Sequence, residues 1–362
     1  MKIAFISQPE YFRFIYENDI DDLAEVKEFN FNFTKNKFSD LEEFNADVNI
    51  FFRGEYFPNS TLERLKGIKV NISSEIFPKI INNEINYSFD SLQRYENFRN
   101  LITHKQFDYV FHYDKHSVSF MKDDGINLSG AFGLPVATSI YRKNNLPKRW
   151  DFFFIGRSTY HRERFFSSLK HYYEFLHICH GIYGQDLVTY MNQSKILLNI
   201  HAEQEISWEP RVQMLMATGG MVISEDIGDN PYFIPGKDFV TVSEPGELLE
   251  KSKYYLEHEA ERELIALNGM NKVHKYLNSR QVFANFIENL QNEAYQKFSC
   301  NPKFKLNLEV MLNELENKQN INDVEVLKEN LQQMRNKVRW MESSKFWQAR
   351  KMVLSLKKTM FK

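Results

Sequence analysis

The chain has 362 residues, of which 43% are hydrophobic and 26% are charged, and its formal net charge is -2 at pH 7. This length favours two domains, and the composition supports buried cores and excludes a disordered or collagen-like chain. The balanced charge excludes an overall positive field that would hold nucleic acid, and two cysteines exclude a disulfide framework or a cysteine-based metal site.

Short β-rich segments alternate with helical segments over the first half of the chain, which predicts a parallel sheet flanked by helices. Strands are predicted over residues 2–7, 26–31, 48–52, 69–73, 109–113 and 135–138. Helices are predicted over 60–66 and 88–103, where Asn and Ser residues near the first turn provide N-caps. Residues 145–149 form the predicted linker.

The same pattern restarts after the linker and predicts a second parallel sheet. Its strands are predicted over residues 151–156, 174–179, 196–201, 220–224 and 239–242. Helices are predicted over residues 162–170, 186–195, 210–218, 247–276, 282–297 and 322–358. The chain after residue 280 is therefore expected to be almost entirely helical.

The last segment, residues 339–362, carries seven basic residues and one acidic residue among apolar ones. A basic amphipathic helix of this kind binds anionic membrane surfaces, and the alternative is a terminal helix that packs on the protein with its lysines in water. The first residues do not resemble a secretory leader, and no apolar stretch is long enough to span a bilayer. A cytoplasmic protein is expected, with peripheral contact at the inner face of the membrane as an option.

Several enzyme classes are excluded by the residues that follow the predicted strands. No Gly-x-Gly-x-x-Gly segment follows the first strand of either sheet, which argues against a dehydrogenase. The chain also lacks a P-loop, a His-Glu-x-x-His segment and a Gly-x-Ser-x-Gly segment. Asp19-Ile20-Asp21 has the spacing of a metal-binding pair but does not follow an apolar strand, so no metal site is predicted there.

An arginine cluster follows the first strand of the second sheet. Arg157 comes directly after Gly156, and Arg162 and Arg164 lie near the start of the next helix. Guanidinium groups beside a helix N-terminus form an anion site that suits a diphosphate. The alternative is that Arg162 and Arg164 are charges on a solvated helix face.

A polar loop connects a later strand of this sheet to a helix with Pro210 in its first turn. The loop carries His201 and Glu209, and it opens beside the arginine cluster, where a nucleotide would fit. The helix ends at Gly219 and the next strand starts at once. Alternatively, His201 is a hydrogen-bonded residue at the edge of the core and does not contact a ligand.

The order of these segments resembles the CgeB-type branch of the group 1 glycosyltransferases. The resemblance covers residues 150 to 285 and rests on segments 150–156, 181–184, 194–201, 210–211, 217–220 and 223–224, together with Arg162. Segment 107–114 resembles a strand late in the first domain of such proteins, and segment 341–347 resembles a tail of bacterial glycan-assembly glycosyltransferases.

The resemblance implies an α/β GT-B fold, in which two Rossmann-like domains face a cleft. Residues 1–148 would form the acceptor domain, residues 149–285 the donor domain, and residues 286–362 a helical extension with the basic tail. The implied reaction moves a sugar from a nucleoside diphosphate sugar to a glycan or lipid-linked acceptor. It would retain the anomeric configuration and require no cofactor and no essential metal, and nucleic acid is not expected as a partner.

The resemblance also assigns residues to the donor. Arg157 and Arg162 would bind the diphosphate, and the further donor contacts would be Tyr183, His201, Glu209, Arg211, Gln213, Gly219 and Gly220. Relatives carry a ribose-binding Glu where this chain has Met214, so Gln213 or Glu209 replaces it, ribose binding is weaker, or the donor site is lost. The last case makes the protein a catalytically silent scaffold in a glycan-assembly complex, and nucleotide binding would separate the two readings.

No enzyme nucleophile is implied, because in retaining relatives a phosphate oxygen assists deprotonation of the acceptor. A general base, if one exists, would come from the edge of the N-terminal domain. His116 is the first candidate by residue type and position, and Asp114 is the second. The alternative for His116 is an ordinary surface histidine.

Overall fold

The structure is a computed structural model that describes residues 1–31, 38–301 and 303–315. Residues Met1–Leu306 form one compact unit that contains both large sheets. In the unit that starts at Asn307, residues 308–315 are helical. The predicted helix 322–358 and the basic tail 339–362 lie outside the described residues.

The strands of the first half are Lys2–Ser7 (β1), Glu25–Asn30 (β2), Val48–Phe52 (β3), Ile68–Ser73 (β4), Lys79–Ile81 (β5), Glu84–Asn86 (β6), Tyr109–His112 (β7), Ile126–Asn127 (β8) and Gly130–Ala131 (β9). Six of the described strands form a parallel sheet in the order β2-β1-β3-β4-β7-β9. Strands β5 and β6 form a separate hairpin. The central strands β1 and β3 are mostly apolar and almost entirely buried, as expected for strands inside a parallel sheet.

Helices cover this sheet between the strands. They are Pro9–Phe12 (α1), Ser39–Phe44 (α2), Asn59–Leu62 (α3), Phe89–Ile102 (α4) and Lys115–Asp124 (α5). The helix predicted over 88–103 is confirmed, and Ser88 caps it by accepting a hydrogen bond from the backbone N–H of Ser91. The strand predicted over 135–138 is wrong, because the backbone of Val136 instead bonds to Leu277 and Ser279 in a later part of the chain.

The second half forms another parallel sheet, with the strands Trp150–Ile155 (β10), Phe175–Ile178 (β11), Ser194–Asn199 (β12), Met221–Ser224 (β13) and Val240–Thr241 (β14). Their order in the sheet is β11-β10-β12-β13-β14. The helices are Tyr160–Tyr172 (α6), Gly184–Asn192 (α7), Arg211–Ala217 (α8), Pro245–Glu257 (α9) and Glu259–Tyr276 (α10). The single helix predicted over 247–276 is interrupted at His258, so this prediction is wrong in its continuity.

The chain then returns to the first sheet. Helix Ser279–Gln291 (α11) inserts Phe283 and Phe286 into the core beneath β1 and β7, and Ser299–Cys300 (β15) pairs with β8. The predicted domain boundary at residue 285 falls inside this helix. The second sheet has apolar cores on both faces, so each half has the layered α/β architecture that the sequence predicts.

Candidate functional site

A cavity of about 500 Å³ lies between the two sheets. Its walls come from the segments that follow the carboxyl ends of β1, β3 and β4 in the first half, and β10 and β11 in the second half, and from the start of α8. Ligands of open α/β sheets bind at this edge, because the loops after parallel strands converge there. The cavity is therefore the candidate site.

Arg157 extends from the end of β10 into this cavity. It follows Gly156, whose φ of 144° belongs to the region that favours glycine. The side chain of Arg157 is 61% exposed, and its Nη2 lies 3.6 Å from Oδ2 of Asp90, which is beyond ordinary hydrogen-bond distance. Its guanidinium can therefore turn towards a ligand.

Arg162 is buried and Arg211 is 11% exposed, and both contact protein groups. Arg211 donates hydrogen bonds to Oδ1 of Asn199 at 2.9 Å and to Oε2 of Glu209 at 2.7 Å, while it also lines the cavity. Arg162 donates to the carbonyl oxygen of Arg157 at 2.9 Å, so it holds the backbone from which Arg157 extends. Burial and the charge of Arg211 lower the pKa of Arg162 to about 10, which leaves it protonated at neutral pH.

Glu209 balances part of this positive charge. Burial raises its pKa, but Arg211 and a hydrogen bond from His201 outweigh burial and hold the pKa at about 2. Nδ1 of His201 lies 2.9 Å from Oε1 of Glu209, and Nε2 lies 3.0 Å from the carbonyl oxygen of Asp226. Both ring nitrogens therefore face acceptors, and the hydrogen bond to Glu209 raises the pKa of His201 despite its burial. The structure thus places His201 behind the site as the buried partner of Glu209.

Gln213 connects the two halves of the molecule. Its Oε1 accepts a hydrogen bond from Nε1 of Trp208 at 2.9 Å, and its Nε2 donates to the carbonyl oxygen of Leu134 at 3.1 Å. Gln213 is 1% exposed and both ends of its amide are paired. The structure therefore does not present Gln213 to a ribose.

The glycines predicted to contact the donor lie at the other end of α8. Gly219 ends the helix with φ of 70°, and a Cβ on Gly220 would lie 2.4 Å from Leu197. Both positions have backbone or packing reasons for glycine. Tyr183, in contrast, lines the cavity at the start of α7, with the guanidinium of Arg13 over its ring.

Met214 lies one helical turn after Arg211 and also lines the cavity. Its side chain is 7% exposed. The departure from the family pattern at this position is therefore inside the candidate site and not at the protein surface.

The predicted bases lie in a second cavity, of about 160 Å³. Oδ2 of Asp114 accepts from Nζ of Lys79 at 3.0 Å, and Oδ1 accepts from the backbone N–H of His116 at 2.8 Å. Burial raises the pKa of Asp114, but the charge of Lys79 outweighs this and the pKa is lowered. Nε2 of His116 is buried and lies 3.9 Å from Oδ2 of Asp229. The structure therefore does not bring His116 and Asp114 to the cavity of Arg157.

Three charged residues on the first-half wall were missed by the sequence reasoning. Oε1 of Glu75 lies 3.1 Å from Nε of Arg53, and the other carboxylate oxygen pairs with Arg94. Arg53 directly follows β3, and Glu75 is separated from the end of β4 by one residue, Ser74. Their positions after predicted strands were the signal that could have found two of them.

Among residues 1–31, 38–301 and 303–315, no group of three or more His, Cys, Asp or Glu side chains is arranged to hold a metal ion. None of the described helices combines the length and apolarity needed to cross a membrane.

The second half of the chain matches a known family. Residues 157–288 match the family described as Glycosyl transferase-like, and this segment contains the arginine cluster, the polar loop and Met214. No curated protein matches the chain significantly.

Solved structures match both halves together. Alr3699/HepE of Anabaena in complex with UDP-glucose matches with a TM-score of 0.54 and 12% identity, over 81% of this chain and 100% of that chain. Sucrose-phosphate synthase of Thermosynechococcus elongatus matches with a TM-score of 0.53 and 11% identity, over 81% and 98%. BGT of T4 phage in complex with UDP and Mn²⁺ matches with a TM-score of 0.51 and 12% identity, over 81% and 99%.

These matches establish the GT-B fold, with two Rossmann-like domains that face a cleft. The predicted fold class is confirmed. The sequence match and the structural matches point to the same kind of protein, because the chain resembles glycosyltransferases by sequence in its second half and by fold in both halves.

Proposed function

We propose that this protein is a glycosyltransferase that moves a sugar from a nucleoside diphosphate sugar to a glycan or lipid-linked acceptor. One observation carries the proposal. Three guanidinium groups, of Arg157, Arg162 and Arg211, converge at the carboxyl end of β10, and two of them line the 500 Å³ cavity of a GT-B fold. Assignment to the CgeB-type branch and a cytoplasmic location are part of the same proposal.

The guanidinium groups would stabilise the leaving nucleoside diphosphate. Arg157 is exposed and would pair with the phosphate oxygens. Arg211 lines the same cavity and would add a second positive charge near them. Arg162 would fix the carbonyl group of Arg157, so that the positive charge is in place before the anomeric bond breaks. Positive charge supplied by arginines in this way supports transfer without an essential metal ion.

The proposed transfer retains the anomeric configuration. The acceptor hydroxyl attacks from the side of the leaving group, and a phosphate oxygen takes its proton. This route needs no enzyme base in the donor cavity, which agrees with the pairing of Asp114 to Lys79 and with the place of His116 in the neighbouring cavity. His116 would then contact the acceptor from that side.

Thermal denaturation with nucleotides tests the proposal. The protein is heated with UDP, GDP, dTDP, ADP or CMP, with and without magnesium. A nucleotide at about 100 times its Kd adds about 2.7 kcal/mol to the stability of the native state, which raises the midpoint by several degrees. We expect at least one diphosphate to do so without magnesium, and Arg157→Ala to abolish the shift. Arg164→Ala is the matched control, since Arg164 is exposed on α6 and does not line the cavity.

Absence of any shift at millimolar nucleotide would contradict the proposal. A second candidate function, a silent GT-B scaffold that has lost the donor site or binds nucleotide without transfer, is favoured by Met214 in the cavity wall. A scaffold without a donor site gives no shift with any nucleotide. A scaffold that only binds nucleotide leaves a nucleotide sugar intact, whereas the enzyme releases nucleoside diphosphate from it.

A further inference from the structure

Asp90 is a first-half carboxylate that faces the exposed arginine of the candidate site. It lies in the first turn of α4, and its Oδ2 is 3.6 Å from Nη2 of Arg157, which follows β10 in the second half. The same oxygen accepts a hydrogen bond from Nε of Arg94 at 2.9 Å. The side chain of Asp90 is 21% exposed and that of Arg157 is 61% exposed. This ion pair therefore crosses the cleft and is accessible to a ligand.

The first turn of α4 is held at the cleft by the polar loop that precedes α8 in the second half. Oγ of Ser88, the N-cap of α4, donates a hydrogen bond to Oε2 of Glu205 at 3.3 Å. Oε2 of Glu203 accepts from the backbone N–H of Asp90 at 3.5 Å. The partial positive charge of a helix N-terminus favours carboxylates at this place. These contacts fix Asp90 opposite Arg157.

A cavity of about 200 Å³ contains both members of this ion pair and shares part of its lining with the 500 Å³ cavity. Three carboxylates line it, those of Glu75, Asp90 and Glu209. Glu75 and Glu209 each pair with arginines of their own half of the chain. Asp90 also pairs with Arg157 from the opposite half. The charge of Asp90 is therefore the one that acts directly on the exposed guanidinium.

A diphosphate at Arg157 meets Asp90 in one of two ways. If Arg157 keeps its place, a phosphate oxygen about 2.8 Å from its Nη2 lies within about 6.5 Å of Oδ2 of Asp90, where two negative charges repel each other. If the guanidinium turns towards the phosphate, its ion pair with Asp90 is lost. Both routes reduce the binding free energy of the diphosphate, and both depend on the charge of Asp90.

We propose that Asp90 competes with the diphosphate for Arg157 and so weakens the binding of the nucleoside diphosphate product. This inference rests on the proposed function, which places the diphosphate at Arg157. Asp90 is then a positioning residue, since it acts through Arg157. Product release limits the turnover of many enzymes, so a carboxylate that opposes the product favours turnover.

Calorimetric titration of the full chain with UDP, GDP, dTDP and ADP, and with inorganic pyrophosphate as a probe without a nucleoside, tests the inference. Asp90→Asn removes the charge and keeps the shape of the side chain. It should lower the Kd of pyrophosphate and of each diphosphate that binds by about threefold to tenfold. This gain should shrink as the salt concentration rises from about 50 mM to about 500 mM, because salt screens exposed charges.

Two variants serve as controls. Asp90→Glu keeps the charge and should leave the Kd close to that of the wild type. Glu96→Gln removes a charge from the same helix at a position that does not line the cavity, and it should leave the Kd unchanged. If Asp90→Asn does not fold, Asp90→Ser removes the same charge with a smaller side chain and replaces it in the test.

The outcomes separate this inference from the proposed function. An unchanged or raised Kd in the folded Asp90→Asn variant, with binding that still requires Arg157, would overturn the inference and leave the proposed function intact. A gain that is equal at both salt concentrations, or that Asp90→Glu reproduces, would also overturn it, because the effect would then not come from charge. Failure of every diphosphate to bind the wild type would overturn the inference together with the proposed function.

Discussion

At the scale of single residues, Glu209 organises the candidate site. It lies between His201 and Arg211, and its carboxylate is the group that both of them contact. Removal of one partner from a buried ionic cluster leaves the others without compensation, which costs several kcal/mol. The carboxylate therefore keeps Arg211 in place as well as limiting the positive charge.

Glu209→Gln is expected to lower the free energy of unfolding at pH 7 by about 3 kcal/mol, because it leaves the Arg211 guanidinium without its carboxylate partner and His201 without its charged acceptor. Chemical denaturation between pH 3 and pH 8 measures this. The folded pKa of Glu209, about 2, is below its usual value of 4.5, so its contribution is full above pH 4.5 and is lost as the pH falls towards 2. The wild type should therefore lose more stability than the variant on the acid side.

His201 determines the alkaline side of the same curve of stability against pH. Its folded pKa is above the usual 6.5, so its contribution is present below pH 6.5 and disappears as the pH rises through the raised value. Glu209→Gln should flatten this flank as well. The exposed Glu250→Gln is the control and should keep the wild-type profile. Parallel profiles for wild type and Glu209→Gln would refute the ionic role.

Sequence reasoning could find Arg157 but not the pairings around it. Arg157 follows a predicted strand, and the carboxyl end of a strand fixes where the next side chain lies. Whether Arg162, His201 and Gln213 face a ligand or each other depends on side-chain directions that spacing does not determine. Their predicted contacts with the donor stay predictions, while the structure shows which protein groups they contact.

At the scale of elements, strands were easier to predict than helix ends. Strands β1 and β3 are confirmed with the predicted bounds, because both are short, mostly apolar segments bounded by polar residues. The break between α9 and α10 at His258 has no proline or glycine to signal it. The backbone hydrogen bonds of Val136 to Leu277 and Ser279 could not be predicted either, because only the tertiary structure brings these residues together.

The sequence predicts that Gly220 contacts the donor, but its packing against Leu197 gives a separate reason for glycine at this position. We expect Gly220→Ala to lower the free energy of unfolding by about 1–3 kcal/mol, because its Cβ would overlap Leu197 and overpack the core. Nucleotide affinity of the folded variant should stay at the wild-type value. Urea denaturation and calorimetry measure the two quantities.

The matched control for that substitution is Gly246→Ala in α9. A Cβ on Gly246 meets no atom within 4 Å, and alanine is the better helix former, so the variant should be unchanged or slightly more stable. A loss of nucleotide affinity in Gly220→Ala without a loss of stability would restore this glycine to the donor site.

At the scale of the whole molecule, the first sheet depends on a helix from the far end of the described chain. The ring centroid of Phe286 in α11 lies 4.7 Å from that of Phe132 and 5.3 Å from that of Phe111. The Phe283 ring likewise lies 5.4 Å from Phe5. The core of the N-terminal half therefore includes side chains that follow the second sheet in the chain. Through α11, the two halves that form the cavity are packed together.

Phe286→Ala is expected to lower the free energy of unfolding by about 3–5 kcal/mol, because a ring that is 1% exposed leaves a cavity between α11 and the first sheet. The control is Leu267→Ala in α10, where the side chain is 45% exposed and the change should stay within about 0.5 kcal/mol. Urea denaturation of both variants measures the difference. Equal midpoints for Phe286→Ala and the wild type would mean that the first sheet is stable without α11. The two halves would then be held together by smaller contacts, such as the hydrogen bonds that link Trp208, Gln213 and Leu134.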